Sequence, residues 1–311
     1  MALDQLIANI ERVIRGKRRA IETLVTAVVA RGHVLLEDLP GLGKTMLGRS
    51  LARSVTADFK RVQCTPDLLP TDVTGVSVFQ PGTQVFEFRP GPVFTNVLLV
   101  DEINRATPRT QSALLEAMEE RQVTADGVTR RLEEPFALIA TQNPIELAGT
   151  FPLPEAQLDR FLVKLSLGYP DEDAELEILT GQVSTHPIDA LQPVLTKDQI
   201  CEAQARARQV TVAAPVAAYI QRLVAATREH DEVQVGASPR GALALMHGSQ
   251  ALAVVKGEGF VTPDHVKRLA PDVLSHRLML QPRARAAGLT ARQVVRQVLD
   301  RTPVPVEFRA R

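Results

Sequence analysis

Five stretches of the chain carry the hydrophobic pattern of buried strands, and helical patterns separate them. Residues 3–14 and 17–31 place apolar side chains on one helix face. The predicted strands are residues 34–36, 59–64, 97–100, 136–140 and 161–167. Uninterrupted apolar runs such as Val97 to Val100 are typical of strands covered on both faces. The alternation of strand and helix therefore predicts an α/β fold with a mainly parallel five-stranded sheet between helices.

Two pairs of short alternating segments predict β-hairpins inserted into this pattern. Residues 76–79 and 84–88 lie on either side of Pro81-Gly82. Residues 123–124 and 128–129 flank Ala125-Asp126-Gly127, and Asp-Gly between such segments is a strong turn signal. We expect both hairpins as inserts in the α/β part.

The pattern changes after residue 180. The proline-containing stretch 183–195, VSTHPIDALQPVL, is typical of a linker. Helix starts follow it, with capping boxes at Thr196 and Thr290 and cap-plus-proline pairs at Ser238 and Thr262. Helices are predicted over residues 197–209, 214–229, 239–256, 263–277 and 291–301. The chain is therefore expected to form an α/β domain over residues 1–180 and a smaller all-α domain over 190–311.

A glycine-containing loop joins the first predicted strand to a helix. The loop and the helix start comprise Pro40, Gly41, Leu42, Gly43, Lys44, Thr45 and Met46. Backbone N–H groups of such a loop point at phosphates, and the helix dipole favours negative charge there. Lys44 is predicted to reach the β- and γ-phosphates of a nucleotide triphosphate, and the Thr45 hydroxyl to bind Mg²⁺. Asp38 stands where the motif has its first glycine, and an ordinary glycine turn is the alternative interpretation.

Polar residues follow two of the predicted strands. Asp101 and Glu102 end one strand, where open α/β sheets bind ligands. Asp101 is predicted to bind Mg²⁺ directly or through water, and Glu102 to polarise the attacking water. Asn143 follows the next strand and is a candidate partner of the γ-phosphate or of that water. The alternatives are a helix-capping turn for the acids and an Asn-Pro turn for Asn143.

Two arginines lack a simple local explanation. Arg160 precedes the fifth strand with Asp159 as its nearby acid, and we expect it at the carboxyl side of the sheet, displaced from Lys44. Arg240 lies in a helix's first turn, where a cation is mildly unfavourable and a phosphate partner would explain it. A surface ion pair and a solvated arginine are the alternatives. By contrast, the favourable interaction of positive charge with the dipole at a helix end is enough to explain the placement of His276 and Arg277.

Composition narrows the possible function classes. The chain has 311 residues, with 36 Lys and Arg against 36 Asp and Glu, so it has no overall attraction for nucleic acid or anionic membranes. The arginines of residues 281–311 lack interleaved aromatic residues, which argues against a nucleic-acid tail and favours a solvated helix face or a subunit contact. No apolar run is long enough to span a membrane, and no signal peptide is expected. Two distant cysteines suggest a soluble cytoplasmic protein, with Mg²⁺ as its one expected metal.

Several motifs together resemble the MoxR family of AAA+ ATPases. They are EDLPGLGKT, CTPDLLPTDVTG, FRPGPVFTN, LLVDEINRA, ATQNP, LPEAQLDRF and GASPRGAL, and they extend over nearly the whole chain. The resemblance implies a P-loop NTPase core with a smaller helical lid. It makes Lys44 and Thr45 Walker A residues, Asp101 and Glu102 Walker B, and Asn143 sensor 1. Arg160 becomes the arginine finger and Arg240 sensor 2, which we expect to touch the γ-phosphate when the two domains close.

The resemblance also implies partners and an activity. It suggests a homo-oligomer, with a hexameric ring as the expected form, a partner with a von Willebrand factor A domain, and chaperone-like remodelling or maturation of a protein client. ATP hydrolysis would drive this activity. Two other functions stay open at this point: a nucleotide-binding scaffold or switch with negligible turnover, and a nucleic-acid motor.

Overall fold

The computed structural model describes residues 2–39, 41–143, 149–181 and 187–305. The first part of the chain contains α1 (Ala2–Glu11), α2 (Arg18–Val29), β1 (Val34–Glu37), α3 (Lys44–Ser54), β2 (Phe59–Gln63), α4 (Pro70–Thr74), β3 (Gly75–Gln80), β4 (Val85–Pro90), β5 (Val97–Asp101), α5 (Pro108–Glu120), β6 (Gln122–Ala125), β7 (Val128–Arg131), β8 (Ala137–Gln142), α6 (Glu155–Leu158), β9 (Val163–Leu165) and α7 (Glu172–Gly181).

The predicted five-stranded sheet is confirmed, and all its strands are parallel. Their order is β2-β5-β8-β1-β9, which places β1 between β8 and β9. Because the strands are parallel, their carboxyl ends share one edge of the sheet and their amino ends share the other. These are called the carboxyl edge and the amino edge below.

Successive apolar side chains along the strands point alternately to the two faces of the sheet, so the apolar core has a part on each face. Leu99 packs in the cluster that contains α1, α2 and α3, whereas its neighbours Leu98 and Val100 pack in the cluster that contains α5. Successive side chains of a strand point to opposite faces, so continuous apolar runs are needed where both faces are covered. The sheet is thus a layer between helices, as the sequence predicts.

Both predicted hairpins are confirmed. Strands β3 and β4 pair antiparallel, and so do β6 and β7. On the first hairpin the rings of Phe79 and Phe86 lie 5.3 Å apart, and both side chains are exposed. The Asp-Gly turn of the second hairpin has positive φ at Asp126 and Gly127, as a two-residue turn of this kind requires.

The second part of the chain forms a helical lid. Its elements are α8 (Lys197–Gln209), α9 (Ala214–Arg228), β10 (Val233–Val235), α10 (Pro239–Lys256), α11 (Pro263–Leu274), β11 (Met279–Leu280), α12 (Pro282–Ala286) and α13 (Ala291–Arg301). The five predicted helices are present, although the one expected to reach residue 277 ends at Leu274 and continues as a 3-10 turn, Ser275–Arg277. The antiparallel pair β10–β11 and the single-turn α12 were not predicted, because elements this short carry no measurable periodicity.

The lid and the sheet share one apolar cluster. Ile200, Leu223 and Val266 of the lid belong to the same buried cluster as Leu24 of α2. The N–H groups of Val194 and Leu195, in the predicted linker, both donate to the carbonyl of Ser54. Residues 183–186 of that linker lie outside the described residues, and the domain boundary stays a prediction. Among the described residues no helix is long and apolar enough to cross a membrane.

Candidate functional site

The glycine loop lies at the carboxyl edge, between β1 and the first turn of α3. Gly41 and Gly43 have φ of 84° and 82°, a left-handed conformation that glycine adopts without strain. Helix α3 begins at Lys44, so the unpaired N–H groups of its first turn, including those of Thr45 and Met46, face this loop. Pro40 lies outside the described residues. The predicted geometry for binding an anion is therefore present around Leu42 and its neighbours.

Lys44 and Asp38 are linked within this loop. The Lys44 ammonium donates to the Asp38 carbonyl at 2.7 Å. The buried Asp38 carboxylate accepts from the Ser166 hydroxyl at 2.6 Å and from the N–H groups of Leu167 and Gly168 at 2.5 and 3.1 Å. The Asp38 carboxylate therefore joins the start of the loop to the segment after β9 by hydrogen bonds. These bonds explain why an acid stands at the position where the motif has glycine.

The acidic pair lies at the same edge, at the end of β5. One Asp101 oxygen accepts from Arg61 at 2.7 Å. Glu102 has a left-handed φ of 56°, its N–H donates to the Thr141 hydroxyl at 2.9 Å, and its carboxylate lies 3.0 Å from Arg105. Arg61 lies outside the motifs of the site, and Arg105 lies within LLVDEINRA, where no role was predicted for it.

The donor set at this edge fits a magnesium nucleotide. The hydroxyl of Thr45 and the carboxylate of Asp101 are oxygen ligands of the kind that Mg²⁺ takes. The described residues contain no cluster of three or more acidic, His or Cys side chains able to hold a metal alone. Mg²⁺ that keeps waters and nucleotide phosphates as further ligands does not need such a cluster.

Asn143 stands between the acidic pair and the glycine loop. It follows β8, which lies between β5 and β1 in the sheet, and its side chain is buried. The end of β8 is in register with the end of β1, since Gln142 is paired with Glu37. The structure therefore brings Asn143 to the same edge as Lys44 and Glu102, as predicted from the sequence.

A cleft of about 400 Å³ adjoins this edge, and sequence reasoning missed it. Its lining comes from both parts of the chain: Gly16, Lys17, Arg19, Ala20, Thr23, Leu165, Ser166, Leu167, Asp272 and Arg292. Its volume lies within the range of small-molecule sites. The lining residues Ser166 and Leu167 donate to the Asp38 carboxylate, so the cleft lies beside the start of the glycine loop. The sequence offers only a weak signal for it, since Gly16 lies in the gap between the predicted helical stretches 3–14 and 17–31.

The expectation for the location of Arg160 is wrong. Arg160 precedes β9, and the N–H of Leu162 donates to the carbonyl of His33, immediately before β1. Because β9 runs parallel to β1, Arg160 lies at the amino edge, on the side of the sheet opposite Lys44. Order along the chain placed Arg160 near a strand, but only the strand direction determines which edge it occupies.

The acid beside Arg160 also differs from the expectation. Its guanidinium lies 3.3 Å from Glu119, near the end of α5, and the other oxygen of Glu119 pairs with Arg240 of the lid. Asp159 pairs with Arg277 instead, at 2.9 Å. The structure therefore brings Arg160 and Arg240 together on Glu119, a residue that the sequence analysis did not identify.

A buried histidine holds the end of α5 at this edge. The His33 ring donates from Nε2 to the Met118 carbonyl at 3.0 Å, and Nδ1 accepts from the N–H of Leu138 at 3.0 Å. Burial and the nearby Arg121 lower the pKa of His33 to about 4. Neutral His33 thus fixes the residue before Glu119 against the start of β1.

Comparisons with known proteins agree with this architecture. The model of the "ATPase family associated with various cellular activities (AAA)" matches residues 33–163, and that of the "AAA lid domain" matches residues 225–298. A crystal structure of a protein from Cytophaga hutchinsonii superimposes with a TM-score of 0.90 at 37% identity, covering 98% of this chain and 95% of that one.

Similar sequences extend over the whole chain as well. An uncharacterised Bacillus subtilis protein, YeaC, is 50% identical over 98% of this chain and 95% of its own length. The Mycobacterium tuberculosis protein named chaperone MoxR1 is 39% identical over 97% of this chain and 82% of its own. On this sequence similarity, and with the sheet, glycine loop and lid described above, the chain belongs to the MoxR family of AAA+ ATPases.

Proposed function

We propose that the protein binds ATP with Mg²⁺ at the carboxyl edge and hydrolyses it with arginines supplied by a neighbouring subunit. The observation that carries this proposal is the division of the site residues. Lys44, Glu102 and Asn143 lie at the carboxyl edge, whereas Arg160 and Arg240 meet on Glu119 at the amino edge.

The residues at the carboxyl edge have separate tasks. Lys44 and the N–H groups of the first turn of α3 hold the phosphates. Thr45 and Asp101 hold Mg²⁺, which supplies charge compensation when bound. The Glu102 carboxylate accepts a hydrogen bond from the attacking water and orients it, and Asn143 donates to the γ-phosphate or to that water. The adjoining cleft at Gly16 has room for the base of the nucleotide.

Distance supports assigning the arginines to a neighbour. Strand β1 has four residues, so the two edges of the sheet are separated by roughly 13 Å along it. The loops beyond the strand add to this separation. Arg160 therefore acts on an ATP bound by another copy of the chain. Arg240 shares Glu119 with Arg160, which supports a role at that same neighbouring site rather than above its own γ-phosphate.

This arrangement implies a head-to-tail assembly, for which we propose a hexameric ring. The name of the Mycobacterium relative, a chaperone, supports a chaperone-like action on protein clients. A partner with a von Willebrand factor A domain is proposed from the sequence motifs alone. Exposed Phe79 and Phe86 on the first hairpin offer an apolar contact for a client. We place the protein in the cytoplasm, where Cys64 and Cys201 stay reduced. We also propose that it consists of two domains, residues 1–180 and residues 190–311.

The test mixes two inactive variants. Glu102→Gln loses the carboxylate that orients water, and Arg160→Ala loses the arginine delivered to the neighbour. Each variant alone should bind ATP and release phosphate slowly, since an arginine supplied in trans can contribute about 10³–10⁵ in rate. Mixed assemblies contain interfaces where an intact Glu102 meets an intact Arg160, so phosphate release should return on mixing.

Subunit exchange is measured separately, with two fluorescent labels. If labelled subunits exchange and the mixture stays inactive, the arginine is not supplied by the neighbour. Arg222→Ala on the exposed side of α9 is the matched control, and it should release phosphate like the unaltered protein.

A further inference from the structure

The segment from Asp159 to Phe161, called the finger loop here, is held by the lid on both sides of Arg160. It lies between α6 and β9. Its contacts with the lid come from Ser238 at the start of α10 and from the 3-10 turn Ser275–Arg277. The loop that carries Arg160 is therefore anchored by residues distant in the sequence.

Arg277 makes most of these contacts. Its guanidinium donates to the Asp159 carboxylate at 2.9 Å, to the Asp159 carbonyl at 3.2 Å and to the Phe161 carbonyl at 2.6 Å. The side chain of Arg277 is only 3% exposed. Burial lowers the pKa of Arg277 to about 10, while Asp159 favours its charged form, so it is a cation at neutral pH. The dipole argument from the sequence does not explain a guanidinium enclosed in this way.

The residue before Arg277 supports the same loop. The His276 ring donates from Nε2 to the Phe161 carbonyl at 3.0 Å, and burial together with Arg277 lowers the pKa of His276 to about 3. The Ser238 hydroxyl donates to the second oxygen of the Asp159 carboxylate at 3.2 Å. Both backbone carbonyls that flank Arg160 and the carboxylate before it are thus hydrogen-bonded by the lid.

Other ion pairs attach the lid to the sheet domain elsewhere. Glu22 of α2 pairs with Lys256 and with Arg268, and Arg268 lies 3.1 Å from it. The lid therefore has an attachment that does not involve the finger loop. The ion pairs of Glu22 therefore attach the lid to the sheet domain, whereas the contacts of Arg277 hold the loop that carries Arg160.

We propose that Arg277 is a positioning residue for Arg160. It fixes the finger loop to the lid, so that Arg160 and Arg240 face the neighbour's nucleotide as one unit. This inference rests on the proposed function, because Arg160 must act on ATP for its position to affect turnover. A shift of about 1 Å in a group that orients reactants can cost roughly 100-fold in rate.

The first test replaces Arg277 with lysine. Lysine keeps the charge opposite Asp159 but is a point donor, and it cannot span the carboxylate and two carbonyls as the planar guanidinium does. Arg277→Lys should lower the maximal rate of phosphate release by roughly 10- to 100-fold while the ATP dissociation constant stays unchanged. Arg268→Lys, the same substitution in the other lid contact, should stay within about twofold of the unaltered rate.

A double variant then separates the inference from the proposed function. If Arg277 acts through Arg160, Arg160→Ala combined with Arg277→Lys should be no slower than Arg160→Ala alone. A further loss of rate in the double variant, or an unchanged rate in Arg277→Lys, would overturn the role of Arg277. If Arg160→Ala alone keeps the full rate, the proposed role of Arg160 is wrong and the inference fails with it.

Mixed assemblies distinguish positioning from a general loss of folding. In one mixture Arg277→Lys is added to the Glu102→Gln subunit, which supplies Arg160; in the other it is added to the Arg160→Ala subunit, which supplies Glu102. Restored phosphate release should fall only in the first mixture. An equal fall in both mixtures, or a fall in neither, contradicts a positioning role, and thermal unfolding of each variant is recorded alongside.

Discussion

The carboxylate of Glu102 lies 3.0 Å from the guanidinium of Arg105, three residues further along the chain. The N–H of Glu102 is held by Thr141 at the same time, so both the backbone and the side chain of this acid have fixed partners. The two contacts hold the carboxylate in one orientation at the carboxyl edge, where it would accept a hydrogen bond from the attacking water.

Glu102→Gln should therefore keep ATP binding and lose turnover. The amide has the same shape but is a far weaker base, and we expect phosphate release to fall by at least roughly 100-fold. ATP binding is measured with a fluorescent analogue and turnover by phosphate release. Glu202→Gln, exposed on α8, is the matched control. Near-normal turnover in Glu102→Gln would remove Glu102 from its assigned role.

Lys44→Ala should lose tight ATP binding. The substitution removes the cation opposite the β- and γ-phosphates, whereas alanine at the start of α3 keeps the helix intact. Titration with a fluorescent ATP analogue measures the dissociation constant. Lys60→Ala, on an exposed position of β2, should bind like the unaltered protein. Equal affinity in the two variants would contradict the assignment of Lys44.

Asp38→Gly should destabilise the protein, although it restores the glycine of the motif. Three hydrogen bonds from the segment 166–168 lose their acceptor. We expect the free energy of unfolding to fall by roughly 3 kcal/mol, measured by denaturant titration. Asp38→Asn keeps an acceptor and should lose less. A more stable glycine variant would show that these hydrogen bonds do not contribute to stability.

Stability should fall as the pH is lowered from about 6.5 to about 4. The pKa of His33 is about 4 in the folded protein and 6.5 in the unfolded chain, so the unfolded chain takes up a proton first. The stability that neutral His33 supports is fully present above pH 6.5, and about 3 kcal/mol of it is lost by pH 4. Denaturant titrations across this range measure it. His33→Gln should show a shallower pH dependence, and an unchanged dependence would contradict the assignment to His33.

Much of the fold is encoded locally and could therefore be predicted. The glycine loop, the acidic pair and Asn143 each follow a strand with a clear hydrophobic pattern, and parallel strands bring such residues to one edge. The hairpin turn at Asp126-Gly127 is likewise a local signal.

The amino edge could not be predicted in the same way. Glu119 and Arg240 are separated by 121 residues, and Arg277 and Asp159 by 118. Neither periodicity nor motif spacing specifies such pairs, because they depend on strand order and on how the lid packs. Arg160 and Arg240 are therefore recognisable as unusual from the sequence, but their shared partner Glu119 is not.

The opposed edges of the sheet give the proposed assembly a direction. A contact that joins the carboxyl edge of one copy to the amino edge of the next is heterologous, so it cannot form a twofold-symmetric pair. In an open, linear assembly of copies, the subunit at one end has a glycine loop that no neighbour's arginines reach. The subunit at the other end has arginines that face no neighbour's nucleotide. Closure of the linear assembly into a ring removes both ends. The specific activity of this protein should therefore rise with its concentration until all assemblies are closed.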